Sequence, residues 1–385
     1  MTDTDLEHDL IDWRHRLHEI PETGFEERRT SEFVAEKLVA MGLEVARGVG
    51  RTGIVGTLRR GTGRRAIGLR ADMDALAVED AGTQPHASKH PGRTHACGHD
   101  GHMAILLGAA RLLSRMPDLD GTVHFVFQPA EEHGRGAKAM IDDGLLARFH
   151  MDEIYGLHGM PGLPEGRFET RPGGIMASED NFVIQLEGRG GHAARPHMVI
   201  DPLIVGAEIV LALQSIVARN VDPTDQAVVS VTEFLTDGTR NIIPGHVIIK
   251  GDTRSYAPEV QSLIESRMAA LAKGLCDAHG ARLRFEYTHE FEPTVNAPEC
   301  VAPAVAAATA VAGAANVAGD CRPVLASEDF GVFLRRVPGN FMFLGTGTDG
   351  LPLHNPRFDF NDRLLVPGAS YFATVVRMRL AADLR

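Results

Sequence analysis

Between residues 178 and 292 the chain reads strand, helix, strand, strand, helix, strand, and no other feature narrows the fold as much. The strands NFVIQLEG, AVVSVTEFL, HVIIKGDTRSY and RLRFEYTHEF are interleaved with two long helical stretches, DPLIVGAEIVLALQSIVAR and PEVQSLIESRMAALAKGLCDAHG. That order is the split βαβ arrangement, which forms a small self-sufficient layer of sheet and helix. The segments on either side must therefore build something separate.

On both sides the pattern is different. GIVGTLRR, RRAIGLRADMDAL, GTVHFVFQPAEE and DEIYGLHG each centre on a short apolar run bounded by Gly, Pro or charge, as strands covered on both faces do. Between and before them lie helical stretches such as DLEHDLIDWRHRLHEI, TSEFVAEKLVAMG (started by Thr30 or Ser31), GHMAILLGAARLLSRM and GAKAMIDDGLL. After EPTVNAPE the pattern resumes, with an Ala-rich helix at 301–312, the strand FMFLGTG and a C-terminal helix near 368–382. The expected fold class is α/β: a mixed, largely parallel sheet covered by helices, with an inserted α+β ferredoxin-like domain. The larger domain would span residues 1–177 and 293–385, and the insert residues 178–292.

Length and charge exclude several classes. A chain of 385 residues that is 44% hydrophobic can bury a large core and favours two or three domains over one. A net charge of -12 argues against a nucleic-acid partner, which would call for a basic face. The opening MTDTDLEHDL lacks a signal-peptide pattern and no apolar stretch is expected to span a bilayer, so a cytoplasmic location is the default expectation. Cys276, Cys300 and Cys321 have no motif spacing and read as free thiols.

Cys97 differs because of its neighbours. HACGHDGH, residues 95–102, gathers His95, Cys97, His99, Asp100 and His102 in a loop that feeds a helix. Cys97 and His99 are two residues apart, which in an extended loop points both side chains to one side. A thiolate with an imidazole suits zinc, and other divalent first-row metals accept the pair. Asp72, Glu131, Glu132, His158 and His354 each follow the C-terminal end of an expected strand, the edge where ligand sites form in open α/β sheets. So many ligands exceed one closed tetrahedral site, and two metals sharing a ligand is the economical reading. Of the adjacent Glu131 and Glu132, which would point opposite ways at a strand end, one can bind metal while the other serves as general base.

Other polar residues have plainer readings. His95 and His102 read as neighbours that orient ligands, and His15 and His18 as packed or solvated positions on an amphipathic helix. GRGGH at 188–192 lacks the lysine and spacing of a phosphate loop.

Taken in order, RADMDAL, HACGHDGH, QPAEE, GLHGMPGLPEG, GRGGHAARPH, NIIP, SEDF and LHNPRFDFND resemble the dinuclear-metal aminoacylase and carboxypeptidase family, peptidase M20. The branch is that of hippurate hydrolases, auxin-conjugate amidohydrolases and N-acetyl-diaminopimelate deacetylases. The resemblance implies two divalent ions, with Cys97, His99, Glu132, His158 and His354 as ligands and Cys97 as the bridge. It implies Glu131 as general base and Asp72 as a residue that supports the site. In the insert, a lid and dimerisation domain in this family, His192 matches the histidine that reaches the active site of the dimer partner to stabilise the oxyanion. Asn241 and Arg254 match groups that hold the substrate carboxylate. Two departures stand out: Arg70 replaces a histidine ligand of the wider family, as in the cysteine branch, and Ala77 stands where proline is usual in the branch. His133, Gly134 and Arg135 follow the paired glutamates, where changes could alter substrate choice.

The implied activity is hydrolysis of an N-acyl amino acid by a homodimer using zinc, with manganese, nickel, cobalt and iron also acceptable. A dipeptidase or carboxypeptidase is the alternative within the same chemistry. A non-catalytic metal-binding or amino-acid-binding protein is the alternative outside it, and a base at Glu131 argues against that.

Overall fold

The computed structural model describes residues 3–380, and these divide into two compact units. One comprises residues 3–175, 295–323 and 329–380; the other comprises Met176–Thr294 and Val324–Glu328.

The first unit is built on an eight-stranded sheet. Its early elements are α1 (Asp3–His18), α2 (Arg28–Ala40), β1 (Glu44–Val49), β2 (Gly53–Arg60), β3 (Ala66–Asp72), α3 (His99–Ser114), β4 (Gly121–Gln128) and, after two short helices, β5 (Glu153–Pro161). The centre of the sheet is parallel: β4, β3, β5 and the strand Gly339–Gly347 lie side by side in that order. The β1–β2 hairpin adds an antiparallel edge on β4. Every residue of β3 and β4 is buried, as expected of parallel strands covered on both faces. α1, α3 and the helices Pro298–Ala312 and Leu365–Leu380 pack into one core with the sheet. The C-terminal end of the helix expected near 368–382 lies outside the described residues.

Two local expectations change. β1 was not expected, because EVARGV is mostly exposed and carries no apolar run. α2 starts at Arg28, ahead of Thr30 and Ser31, because the Glu22 carboxylate accepts both the Thr30 N–H and its hydroxyl, at 3.0 Å each. Thr30 is thus a helical residue capped from outside.

The second unit has a four-stranded antiparallel sheet in the order Ala227–Thr236, His246–Ser255, Glu179–Glu187, Arg282–Phe291. Strict alternation of buried residues along His246–Ser255 shows that one face is the core side. Helices Pro202–Arg219 and Pro258–His279 cover it through Val205, Ile209, Leu213, Ile264 and Met268, all fully buried. By length and composition Pro202–Arg219 is apolar enough to cross a membrane, with a mean hydropathy of 1.6, contrary to the expectation that no segment would be. Val205, Ile209, Leu213 and Ile216 form its buried stripe in this core, while Leu203, Ile204 and Leu211 on the rest of the helix are exposed.

Candidate metal centre

The parallel strands of the first unit end at one edge, and the ligand candidates collect there. Gly98, at φ +86°, makes the left-handed turn that starts α3 at His99. The next close approach is at Gly101, where a side chain would run into the Phe360 ring. The His354 N–H donates to the Ala96 carbonyl at 2.8 Å, which pins the His354 loop to the Cys97 loop.

Each imidazole inside the cluster has its orientation fixed. His99 Nδ1 donates to the Asp74 carbonyl at 2.8 Å, and His158 Nδ1 donates to the Gly159 carbonyl at 2.8 Å. Their Nε2 lone pairs therefore point inward, which is the tautomer a metal ligand requires. His99 Nε2 is buried with no hydrogen-bond partner and lies 3.8 Å from Asp72, 3.9 Å from Glu131 and 3.9 Å from Glu132. His158 Nε2 is 3.6 Å from Cys97 Sγ. The exposed His354 brings its Nε2 to 3.5 Å from Glu132, whose other oxygen is buried and unpartnered. Cys97, Glu132 and His354 thus form one group, and His99, Glu131 and Glu132 another that shares Glu132.

Asp72 has other work. One oxygen accepts from His102 Nδ1 at 2.8 Å, the other from Arg70 at 2.9 Å. Because the Gly159 N–H donates to His102 Nε2, the His102 ring has no lone pair left to offer. His102 is therefore a buried strut, in line with its plainer reading, and Arg70 balances the Asp72 charge in the absence of a histidine at position 70. Arg70 also bonds Gln128 at 2.8 Å and Asp329 at 3.2 Å.

Glu131 and Glu132 do not point opposite ways. The chain leaves β4 at Gln128 and turns at Ala130, φ +49°, so strand alternation no longer applies and both carboxylates approach His99. The backbone N–H groups of both donate to the two oxygens of Asp74, at 3.0 and 3.1 Å. Asp74 was missed in the sequence, although its spacing of two from Asp72 in RADMDAL was the available signal.

The electrostatics call for a cation. Burial pushes the Cys97 thiol well above its usual range, and the Glu132, Glu131 and Asp72 carboxylates push it further. Burial likewise raises Glu132 to about 7, although His99 opposes the rise. Burial disfavours a charge on His99, yet Asp72, Asp74 and Glu132 outweigh it and raise the imidazole to about 10. Positive charge is wanted at His99 Nε2, and a divalent ion would supply it and return Cys97 and Glu132 to their anionic forms. Burial keeps His158 neutral, as a ligand must be. The donor set fits borderline-soft divalent ions.

The second unit's candidates are placed differently. His192 is exposed on a two-residue strand paired with Ile242, and the Ala193 N–H donates to the Asn241 carbonyl at 3.0 Å, so His192 and Asn241 are neighbours. His192 Nδ1 accepts from the Ala194 N–H at 3.1 Å, which leaves its Nε2–H as a donor. Arg254 bonds Ser327 Oγ at 2.8 Å, Glu179 at 2.8 Å and Asp252 at 3.0 Å.

An α/β sheet whose parallel edge presents imidazoles, a thiol and paired carboxylates has the make-up of a metal-dependent hydrolase. The chain belongs to peptidase family M20/M25/M40, whose family model matches residues 68–378. It is 41% identical to the hippurate hydrolase of Campylobacter jejuni over 369 residues, 96% of each chain. It is 37% identical to the N-acetyl-L-cysteine deacetylase of Bacillus subtilis over 368 residues, 95% of this chain and 87% of that one. Among solved structures, the Bacillus subtilis YXEP protein, described as a dinuclear metal binding peptidase from the M20 family, superposes with a TM-score of 0.85 at 30% identity, covering 98% of this chain and 99% of that one.

Proposed function

We propose that this chain is a metal-dependent amidohydrolase that cleaves N-acyl amino acids to a carboxylate and a free amino acid, with two divalent ions held by Cys97, His99, Glu132, His158 and His354. The observation that carries the reading is the locked, inward Nε2 of His99, unpartnered and ringed by carboxylates. The hydrolase, deacetylase and dinuclear-metal relatives support it.

The metals would supply Lewis-acid polarisation of the amide carbonyl and lower the cost of deprotonating water. Glu131, buried and anchored through its backbone N–H on Asp74, takes the proton of the attacking water and returns it to the leaving nitrogen. Asp72, held by Arg70 and His102, keeps a fixed negative charge beside the ligands. His192 Nε2–H of one protomer donates to the oxyanion developing in the active site of its dimer partner, and Asn241 with Arg254 receives the substrate carboxylate. Arg254 exchanges part of its hold on Glu179 and Asp252 for that carboxylate.

A homodimer belongs to this proposal. Leu203, Ile204 and Leu211 stand exposed on Pro202–Arg219, and Phe234 and Leu235 on the edge strand Ala227–Thr236, which offers unpaired backbone to a second copy. A cytoplasmic location is also part of it, supported by four cysteines that are all free. The test is release of amino acid from benzoyl, acetyl, indole-acetyl and longer N-acyl amino acids and from dipeptides, by apo protein reloaded with zinc, manganese, nickel or cobalt. Metal-dependent release from an N-acyl class is expected. Release from dipeptides with a free amine alone would replace the reading with a dipeptidase.

A further inference from the structure

Arg14 is fully buried on α1 and touches none of the ligand candidates. Its Nε donates to Asp100 at 2.9 Å, its Nη1 to Asp362 at 3.1 Å and its Nη2 to Asp359. His86 Nε2 lies 3.1 Å from Nη1, and His18 Nδ1 lies 2.8 Å from the Asp100 oxygen that Arg14 also bonds. Asp100 follows His99 directly, whereas Asp359 and Asp362 lie on the segment that follows His354. One guanidinium therefore grips both ligand-bearing segments. Other ties between those segments are the His354 N–H on the Ala96 carbonyl, the edge-on contact of the His102 and Phe360 rings, and Phe358 and Phe360 packed against Gly98 and Gly101.

We propose that Arg14 is a positioning residue for the metal centre, tying Asp100 to Asp359 and Asp362 and so setting the separation between His99 and His354. The inference rests on the ligand assignment above. His354 needs such a tie: its side chain is 56% exposed and its backbone sits at φ +66°, a conformation that costs energy in a residue with a Cβ. An isolated loop would relax out of it. The tie requires a guanidinium because its planar fork bonds partners on opposite edges at once, whereas an ammonium is a compact point charge that cannot span both.

The experiment is cobalt titration of the apo full-length chain, read by the thiolate-to-cobalt absorption band and by competition with a chelator. Arg14→Lys and the double variant Asp359→Asn/Asp362→Asn are each expected to weaken cobalt retention about tenfold or more, the usual effect of removing a group that orients a ligand, and to shift the band. Glu153→Gln is the control. Glu153 anchors a different, partly exposed ion cluster, with Arg65, Arg379 and the Tyr155 hydroxyl, at the start of β5. It should lower Tm and leave affinity and band unchanged. Should Arg14→Lys fail to fold, the double variant decides, because Asp359 and Asp362 are partly exposed and their loss leaves the Arg14–Asp100 pair intact. Wild-type affinity and band in the folded variants would overturn the proposal, as would an equal change in Glu153→Gln. A wild-type chain that takes up no cobalt would instead overturn the ligand assignment on which it rests.

Discussion

The two units hold their proposed functional groups in opposite ways. In the first, His99, His158, Asp72 and Glu131 are buried, and the rings and backbone that carry them are fixed by Asp74, Gly159, His102 and Arg70. In the second, His192 and Asn241 are exposed on a two-residue ladder, and Arg254 is shared among acidic neighbours of its own unit. The difference matches the two tasks. His99 and His158 must keep one geometry whether or not substrate is present, and their orientation is built from buried hydrogen bonds, whereas the exposed His354 is held through its backbone N–H on the Ala96 carbonyl. Groups that meet substrate must stay reachable, so they gain full order only when a substrate supplies the missing partner.

Substitutions should therefore separate the two units by what they change. The largest effect is expected at Glu131: Glu131→Gln should retain metal and lower kcat by about a hundred- to ten-thousand-fold, as loss of a general base does. Metal analysis beside a steady-state assay checks both halves, and retained turnover would remove Glu131 from the base role. Next, His192→Ala should lower kcat by about a hundredfold, the usual effect of losing one oxyanion donor, with Tm and metal content unchanged. A fall in Tm would show that His192 is more integral to its unit than its exposure suggests. Arg254→Gln should raise KM about tenfold or more, through loss of a charge-assisted hydrogen bond to the substrate carboxylate; an unchanged KM with reduced Tm would mark it as a structural ion pair.

The smallest effect concerns the shell behind the first site. Glu27 is raised to about 7, chiefly by burial, with its hydrogen bond from Thr52 opposing and Asp74 adding to the rise. A carboxyl whose folded pKa exceeds its unfolded one binds more protons when folded, so its contribution to stability falls as pH rises from about 4.5 to about 7. Glu27 accepts from the Ala130 N–H and the Thr52 hydroxyl, and a glutamine can still accept the first and donate to the second. Glu27→Gln should therefore gain stability relative to wild type between pH 5 and pH 8. Parallel Tm curves across that range would contradict the assignment.

Much of this was legible in the sequence, for identifiable reasons. Buried parallel strands announce themselves as apolar runs, and the sheet brings ligand candidates near their ends to one edge, although Asp72 is the last residue of β3 and His158 lies inside β5, which runs on to Pro161, rather than just past a strand end. The insert was legible because its strand and helix order permits few arrangements. β1 was not, since an exposed edge strand such as EVARGV carries no apolar signal. The shared direction of Glu131 and Glu132 depends on one left-handed residue, Ala130, that a strand pattern cannot anticipate. The Arg14 network joins residues 86 and 345 positions apart, and His18, read as packed or solvated on its helix, proves to be a buried partner of Asp100. Only the folded chain brings such partners together.

The central claim is that this sheet edge holds two divalent ions through Cys97, His99, Glu132, His158 and His354. The most direct measurement is metal content per chain after zinc reloading, for the wild type and for Cys97→Ala/His158→Ala. Two ions per wild-type chain and fewer than one per variant chain are the expected values. A wild type that retains none, or a folded variant that still retains two, would contradict it.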